Sequence, residues 1–143
     1  MIKEIESKLN YEEDTTCDLK IAIILAFYNG NEFISEQIFS IFNQSHKNFV
    51  LFIFDDCSTQ KFSLENYNLS SSDKAKIKYS KRNQNLGYTL NFLNALNSID
   101  NSYDYYAFSD QDDIWHKDKL KNAINSLQHY SSKIPSLYGC RTE

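Results

Sequence analysis

The 143-residue sequence predicts one α/β domain with a mostly parallel sheet and helices on both faces. Short apolar runs rich in β-branched and aromatic residues alternate with longer segments of helical spacing, and this alternation is typical of βαβ units. The length suits a single domain. The composition, with 41% hydrophobic and 24% charged residues, is that of a folded protein.

The elements follow in order after a polar lead-in over residues 1–18. The runs "KIAIILA" and "NFVLFIF" are apolar throughout, as expected of strands covered on both faces. The helix after the third strand is predicted to turn Leu90, Leu93 and Leu96 inward. The predicted strands are 20–26, 48–54, 75–80, 103–109 and 136–141. The predicted helices are 31–45, 88–99 and 117–130. In the last of these helices, Leu120, Ile124 and Leu127 are predicted to face inward.

Charge and composition exclude several classes of function. The net charge of -4 argues against a nucleic-acid partner, because binding to phosphates needs a basic face. The longest apolar run, "IAIILAFY", is far shorter than the eighteen or so residues of a membrane span. The cysteines, Cys17, Cys57 and Cys140, are odd in number and have no metal-ligand spacing, so we expect reduced thiols in a cytoplasmic protein.

Polar residues follow three of the predicted strands. The first strand runs into Tyr28, the second into Asp55 and Asp56, and the fourth into Asp110 and Asp112. Ligands of parallel sheets bind beyond the carboxyl ends of the strands. If these strands are neighbours, the five side chains share one rim of the sheet.

The stretch "SDQDD" contains the strongest candidate for a metal site. Side chains alternate in an extended segment, so Asp110 and Asp112 are expected on one side and Gln111 on the other. Two carboxylates suit Mg²⁺ or Mn²⁺, which completes its shell with phosphate and water. Asp113 is expected to cap the following helix.

A solvated acidic loop is the alternative to a metal site. Its charge would then be offset by His116, Lys117 and Lys119. An EF-hand is excluded, because Trp115 and Lys121 occupy the positions of its Gly and Glu. No Gly-rich stretch ends in Gly-Lys-Ser/Thr, which excludes a P-loop.

The remaining candidates each have a functional and a structural interpretation. A carboxylate of the Asp55–Asp56 pair can accept a hydrogen bond from a nucleotide base or cap the turn that follows. Tyr28 can stack on a base or pack on the rim of the sheet. Asn85 is a cap or a ligand, and Gly87 serves backbone geometry.

Four segments in this order and at these intervals resemble the donor half of family 2 glycosyltransferases. They are "IAIILAFYNG", "NQSHKNFVLFIFDDCST", "NQNLGYTLNFLNAL" and "YYAFSDQDDIWHKDKL". The resemblance covers about residues 20–141 and is greatest to bacterial members that build surface polysaccharide, including rhamnosyltransferases. The chain departs from the family pattern at Phe27, where Thr is frequent, and at Cys57, where Gly is frequent.

The resemblance implies a GT-A fold with a Rossmann-like nucleotide-binding sheet over residues 19–143. By this resemblance Ala26 and Tyr28 line the base pocket and Asp56 hydrogen-bonds the base. Asp110 approaches the ribose or the metal, and Asp112 coordinates the Mg²⁺ or Mn²⁺ that bridges the diphosphate. Asn85 completes the predicted nucleotide-sugar site.

The resemblance also implies an inverting, metal-dependent transfer from a nucleotide-diphosphate sugar to a polysaccharide or glycolipid acceptor. The general base is expected beyond Glu143, in an acceptor half that would bring the protein to the inner face of the membrane. The alternatives are a truncated, non-catalytic nucleotide-binding module, one half of a split enzyme, or an acidic domain that acts only through protein contacts. An uncovered sheet edge near residues 136–143 predicts a homodimer.

Overall fold

A computed structural model describes residues 15–131 and 133–140, where four strands form one parallel sheet. Its strand order is β3-β2-β1-β4, and all three neighbouring pairs are parallel. The strands are β1 (Ile21–Phe27), β2 (Phe49–Asp55), β3 (Ile77–Lys81) and β4 (Tyr105–Ser109). The predicted mostly parallel sheet is confirmed.

Three of the four helices form where helical spacing predicts them, and the short α2 is additional. They are α1 (Ile34–Phe42), α2 (Ser71–Lys74), α3 (Tyr88–Ser98) and α4 (Lys119–Leu127), with short 3₁₀ turns at Thr15–Asp18 and Leu64–Asn66. Among the described residues, no helix combines the length and apolar character needed to cross a bilayer. Residues 1–14 of the predicted polar lead-in lie outside the described part of the chain.

Helices cover both faces of the sheet, as predicted. On one face, α1 and α4 bury Ile38 and Ile124 against alternate residues of β1 and β2. On the other face, α3 buries Ala95 against Ala22 and Ile24 of β1. β1 is therefore covered on both sides, which explains its uninterrupted apolar sequence.

The strand order reverses at β1. The chain steps from β1 to β2 and β3 in one direction and then returns to place β4 on the opposite side of β1. Phe27 pairs with Asp55 and Leu25 pairs with Ser109, so the carboxyl ends of β1, β2 and β4 lie together. This reversal opens a crevice between the two directions of winding. The strands that precede the predicted polar residues, β1, β2 and β4, are therefore neighbours in the sheet, as a shared rim requires.

The predicted inward face of α3 is wrong for Leu90 and Leu93, whereas Leu96 is partly buried and packs against the core as predicted. Leu90 and Leu93 are 51% and 53% exposed, whereas Asn91 and Ala95 are buried. Asn91 faces the sheet because its amide donates to the carbonyl of Phe54 at 2.9 Å. Ala95 fits there because a small side chain allows close approach of the helix. A tertiary hydrogen bond thus rotates the helix away from the face that its leucines favour.

The predicted strand over residues 136–141 is not formed in its described part, residues 136–140. Leu137 is 90% exposed there. A strand needs a ladder partner, and these residues pair with none of the described strands. The edge of the sheet on this side is therefore β4 rather than the predicted final strand.

Asp55 ends β2 with a fully buried carboxylate that is satisfied by the protein itself. One oxygen accepts from the backbone N–H of Ser58 at 2.7 Å, and the other accepts from the Tyr79 hydroxyl at 2.5 Å. Burial, together with the hydrogen bond and charge of Asp55, raises the pKa of Tyr79. The capping interpretation therefore holds for Asp55, which ties β2 to the edge strand β3.

Replacing Tyr79 with Phe should lower the free energy of unfolding by about 1–3 kcal/mol, because it leaves one oxygen of a buried carboxylate without a donor. The ring stacked on Phe62 is retained. Urea unfolding measures the change. Tyr106→Phe is the matched control, since its hydroxyl donates to an exposed backbone carbonyl, and it should cost less. Equal losses in the two variants would contradict a special role for the Asp55 contact.

Candidate functional site

A pocket of about 360 Å³ lies at the carboxyl ends of β1, β2 and β4, in the crevice where the strand order reverses. Its volume is within the usual range for small-molecule sites. The lining residues are Ala26, Phe27, Tyr28, Asp56, Asn85, Gly87, Tyr88, Asn91, Asp110, Gln111 and Asp112. All residues predicted to bind nucleotide sugar or metal are among them. The fold thus brings together side chains that are up to 86 positions apart in the sequence, from Ala26 to Asp112.

Side-chain hydrogen bonds join the loops that follow β1 and β2. The backbone N–H of Asn29 donates to Ser58 Oγ at 2.9 Å, and Asn29 Oδ1 accepts from the backbone N–H of Thr59 at 2.8 Å. Asn29 has φ = 49°, a left-handed conformation that Asn tolerates better than most residues. These bonds present Tyr28, which is 46% exposed, at the mouth of the pocket.

Asp56 orders the loop that leads into α3. Its carboxylate accepts from the backbone N–H of Leu86 at 2.9 Å and from that of Gly87 at 2.8 Å. The guanidinium of Arg82 lies 4.0 Å from the same carboxylate. Asp56 is almost fully buried, yet it forms part of the pocket wall.

Asn85 and Gly87 shape the turn before α3. Asn85 Nδ2 donates to the backbone carbonyl of Asp56 at 3.1 Å, and Asn85 Oδ1 accepts from the backbone N–H of Gly87 at 3.1 Å. Gly87 has φ = 80°, so the prediction that it serves backbone geometry is confirmed. Asn85 acts as a turn residue and also lines the pocket.

The predicted alternation along "SDQDD" is wrong. Residues 111 and 112 form a bend rather than an extended segment, so Asp110, Gln111 and Asp112 all line the pocket. The amide oxygen of Gln111 accepts from the backbone N–H of Tyr28 at 2.8 Å. Gln111 thereby joins the loop after β4 to the loop after β1, and its amide lies over Gly30.

Asp113 does not cap α4, contrary to prediction. The helix begins at Lys119, and Asp118 occupies the N-cap position. The turn that precedes this helix is longer than the sequence indicates, so Asp113 stays with the other acids. Partial burial, followed by the charges of Asp113 and Asp112, raises the pKa of Asp110.

The negative charge of the acid cluster is not balanced by ion pairs. Among the described residues the one ion pair within 4.0 Å joins Arg82 to Asp56. The ammonium of Lys119 lies over the Trp115 ring, 4.8 Å from its centroid. In the described part of the chain, His116, Lys117 and Lys119 form no ion pair within 4.0 Å with the acids.

This donor set fits a hard divalent cation in part. Asp110 and Asp112 supply carboxylate oxygens to one pocket, and none of the described residues that line it carries a positive charge. No three His, Cys, Asp or Glu side chains of the described chain are grouped to hold an ion by themselves. The arrangement suits Mg²⁺ or Mn²⁺ that takes its remaining ligands from a bound phosphate and water.

Sequence reasoning missed Tyr88, Asn91 and Gln111 as pocket residues. Asn91 lies between Leu90 and Leu93, and these leucines led to the prediction of a different inward face for the helix. The sequence contained one sign of its role, a polar Asn on the helix face opposite to the leucines. Asn91 accepts from Arg82 Nε at 2.8 Å, which also holds Arg82 near Asp56. Gln111 was assigned to the wrong side by the assumption of an extended backbone.

The fold and the pocket define an α/β protein with a pocket where its strand order reverses. The sequence profile of "Glycosyl transferase family 2" matches residues 22–141. The chain therefore belongs to family 2 of the glycosyltransferases, and its sheet is the Rossmann-like sheet of the GT-A fold. The resemblance seen in the four sequence segments is confirmed.

Known proteins are similar over about four fifths of the chain. The "dTDP-rhamnosyl transferase RfbG" of Shigella flexneri is 40% identical over 122 residues, which are 80% of this chain and 42% of that protein. The "Putative teichuronic acid biosynthesis glycosyltransferase TuaG" of Bacillus subtilis is 29% identical over 113 residues, 78% of this chain and 43% of that protein. The chain thus spans less than half the length of these relatives.

A solved structure shares the fold. The crystal structure of S. aureus TarS in complex with UDP superposes with a TM-score of 0.64 at 26% identity. The match covers 78% of this chain and 32% of the TarS chain. The described fold therefore corresponds to about one third of the TarS chain.

Gly30→Ala should displace the Gln111 side chain. A Cβ at this position would lie 2.3 Å from the Gln111 amide carbon, but a flexible side chain can move away at small cost. The Tyr28 amide should then exchange its hydrogen faster, with a loss of about 1 kcal/mol in stability. Gly139→Ala is the control, because its Cβ would meet no described atom within 4 Å. Unchanged exchange at Tyr28 would contradict the Gln111 contact.

Cys57→Gly should stabilise the chain by about 0.5–1 kcal/mol. Cys57 has φ = 68°, a left-handed conformation that costs an L-residue roughly 1–2 kcal/mol. Gly removes this cost, and its greater freedom in the unfolded chain cancels only part of the resulting gain in stability. Thermal and urea unfolding test the change. Cys57→Ala keeps the unfavourable φ, so it should not stabilise; equal gains in both variants would refute the backbone explanation.

Proposed function

We propose that residues 19–143 form the donor-binding part of an inverting, metal-dependent glycosyltransferase. Its donor would be a nucleotide-diphosphate sugar, and its acceptor a polysaccharide or glycolipid. The observation that carries the proposal is the composition of the pocket: Tyr28, Asp56, Asp110 and Asp112 lie around one crevice, and no described residue that lines it is a cation. Such a pocket repels a bare diphosphate but accepts one that arrives with a divalent ion.

The relatives support this donor class. RfbG is named as a dTDP-rhamnosyl transferase, and TarS has been solved with UDP and with UDP-GlcNAc. TuaG is named for teichuronic acid biosynthesis. A nucleotide-diphosphate sugar as donor and a cell-surface glycan as product are therefore consistent with both comparisons.

The β1 and β2 side of the pocket would hold the base. Tyr28 offers a half-exposed ring for stacking, and Ala26 leaves room beside it. Each carboxylate oxygen can accept two hydrogen bonds, so Asp56 can receive a base N–H while it retains the amides of Leu86 and Gly87. These amides and Arg82 would hold the Asp56 carboxylate in position for that contact.

The β4 side of the pocket would hold the metal and the diphosphate. Asp112 and Asp110 would ligate Mg²⁺ or Mn²⁺, with Asp110 also within reach of the ribose. When bound, the ion would neutralise the charge that develops on the leaving diphosphate. The role of the protein would be to hold the two carboxylates on one side of the pocket before the donor arrives.

The acceptor hydroxyl also needs a general base on the face opposite the leaving group. In this proposal the acids of the pocket already bind the nucleotide base (Asp56) or the metal (Asp110 and Asp112). We therefore place the general base in another part of the protein, beyond Glu143, together with the acceptor site. A donor-binding module without turnover, or one half of a split enzyme, would share the same pocket and differ only in transfer.

The test is calorimetric titration of UDP, dTDP and GDP into the chain, first with Mn²⁺ and then with EDTA. We expect one nucleotide to bind in a metal-dependent manner, and Asp112→Asn should weaken that binding at least about tenfold, since even the loss of an outer-shell partner commonly costs 10–100-fold. Asp112 is exposed, so the variant should fold normally.

Glu65→Gln is the matched control, since it removes one exposed negative charge outside the pocket. It should bind like the wild type. The proposal would fail if no nucleotide bound the wild-type chain, or if Asp112→Asn retained full metal-dependent affinity. Transfer of sugar to an acceptor by this chain alone would overturn the placement of the general base.

A further inference from the structure

Three polar side chains on one face of α1 and its C-terminal extension are buried in an otherwise apolar layer. Gln37 and Gln44 are fully buried and Ser40 nearly so. Their spacing of three and four residues places them above one another on the helix. We call this group the polar column. Burial of an amide or a hydroxyl is energetically costly unless the group is hydrogen-bonded. The hydrogen-bond partners of the polar column therefore show which part of the chain it supports.

Gln37 binds both ends of the acid motif. Its amide oxygen accepts from the Ser109 hydroxyl and from the Trp115 indole N–H at 3.2 Å, while its amide nitrogen donates to Ser40 Oγ at 3.0 Å and to the backbone carbonyl of Asp113. The reverse orientation would set the amide oxygen against that carbonyl, so this orientation alone pairs every donor with an acceptor. Ser109 precedes the acids and Asp113 ends them.

Ser40 and Gln44 extend the contacts toward α4. Ser40 Oγ accepts from the backbone N–H of Trp115 at 2.9 Å. Gln44 Nε2 donates to the carbonyl of His116 at 2.8 Å, and Gln44 Oε1 accepts from the backbone N–H of Leu120 at 3.1 Å. The polar column thus follows the backbone from the end of β4 to the first turn of α4.

The acid motif has little other backbone support. Residues 111–115 form no backbone–backbone hydrogen bond with any described residue. Their contacts are made by side chains: the polar column on one side and the bond from Tyr28 N–H to Gln111 on the other. The mutual repulsion of Asp110, Asp112 and Asp113 favours separation of the three carboxylates unless this support holds them.

We propose that Gln37, assisted by Ser40 and Gln44, is a positioning residue that holds Asp110 and Asp112 in place for the metal-bound diphosphate. This inference rests on the proposed function. The polar column contacts neither the pocket nor the donor, since its members are absent from the lining residues. It acts through the backbone of the acid motif, in the manner of an outer shell around a metal site.

The test compares metal-dependent and metal-independent binding in the full 143-residue chain. The probes are Mn²⁺ and whichever of UDP, dTDP and GDP binds the wild type most tightly. The readout is the ratio of the nucleotide Kd in EDTA to its Kd in Mn²⁺. For Gln37→Met, which keeps length but removes the amide, we expect the ratio to fall about tenfold while the Kd in EDTA changes less than about twofold.

Ser40→Ala is a second, milder variant, and it should lower the ratio in the same direction by a smaller factor. Ile38→Val is the matched control on the same helix: it removes a methyl group from a fully buried side chain and no hydrogen bond. It should lower the melting temperature without changing the ratio. A wild-type ratio in Gln37→Met and Ser40→Ala would overturn the proposal, and so would equal weakening of binding with and without Mn²⁺.

Amide hydrogen exchange separates failure of this proposal from failure of the proposed function. Residues 111–115 should exchange faster in Gln37→Met than in the wild type, with no such change in Ile38→Val. If the wild-type chain bound no nucleotide, the proposed function would fail, but faster exchange confined to this segment would still support positioning by the polar column. Unchanged exchange in Gln37→Met would overturn it.

Discussion

The parallel pairing of β1 with both β2 and β4 is the constraint on which the rest of the structure depends. Because β1 lies between them, the carboxyl ends of all three strands meet at one edge of the sheet. The turns that leave these ends must then share a small space. They are joined by side chains, with Asn29 bound to Ser58 and Thr59 and Gln111 bound to the Tyr28 backbone. The pocket is the space that these joined turns leave open.

The acids at this edge are distinguished by their partners rather than by their sequence. Both carboxylate oxygens of Asp55 already accept hydrogen bonds from the protein, one from Ser58 and one from Tyr79. Asp56 serves the α3 loop and also lines the pocket. Asp110 and Asp112 have no cationic partner among the described residues. Of the acids that line the pocket, only Asp110 and Asp112 form no ion pair with a described residue, which is why we propose a divalent ion accompanied by a diphosphate as the occupant.

The family and fold could be predicted from the sequence because they depend on patterns that persist along the chain. Apolar runs such as 20–26 and 48–54 form buried strands of the sheet, as their sequence pattern indicates, and four motifs at characteristic intervals indicate the glycosyltransferase family. The leucines of α3 were misleading because Asn91 bonds to Phe54 and turns the helix. The strand expected over 136–141 is not formed in its described residues, 136–140, because a strand requires a partner and the sequence does not reveal whether one is present.

The sequence by itself determined the order of β1 to β4 and of α1, α3 and α4 along the chain, the crowding of three carboxylates within four residues, and the candidates Ala26, Tyr28, Asp56, Asn85, Asp110 and Asp112. Tertiary structure alone decided which acid is already satisfied, that Gln111 faces the pocket, and that Gln37, Ser40 and Gln44 hold the acid motif. The physical reason is the separation in sequence of the residues that interact. Strand and helix patterns arise from interactions between residues near in sequence, whereas the partner of a buried polar group is set by contacts such as Gln37 with Ser109, 72 residues apart.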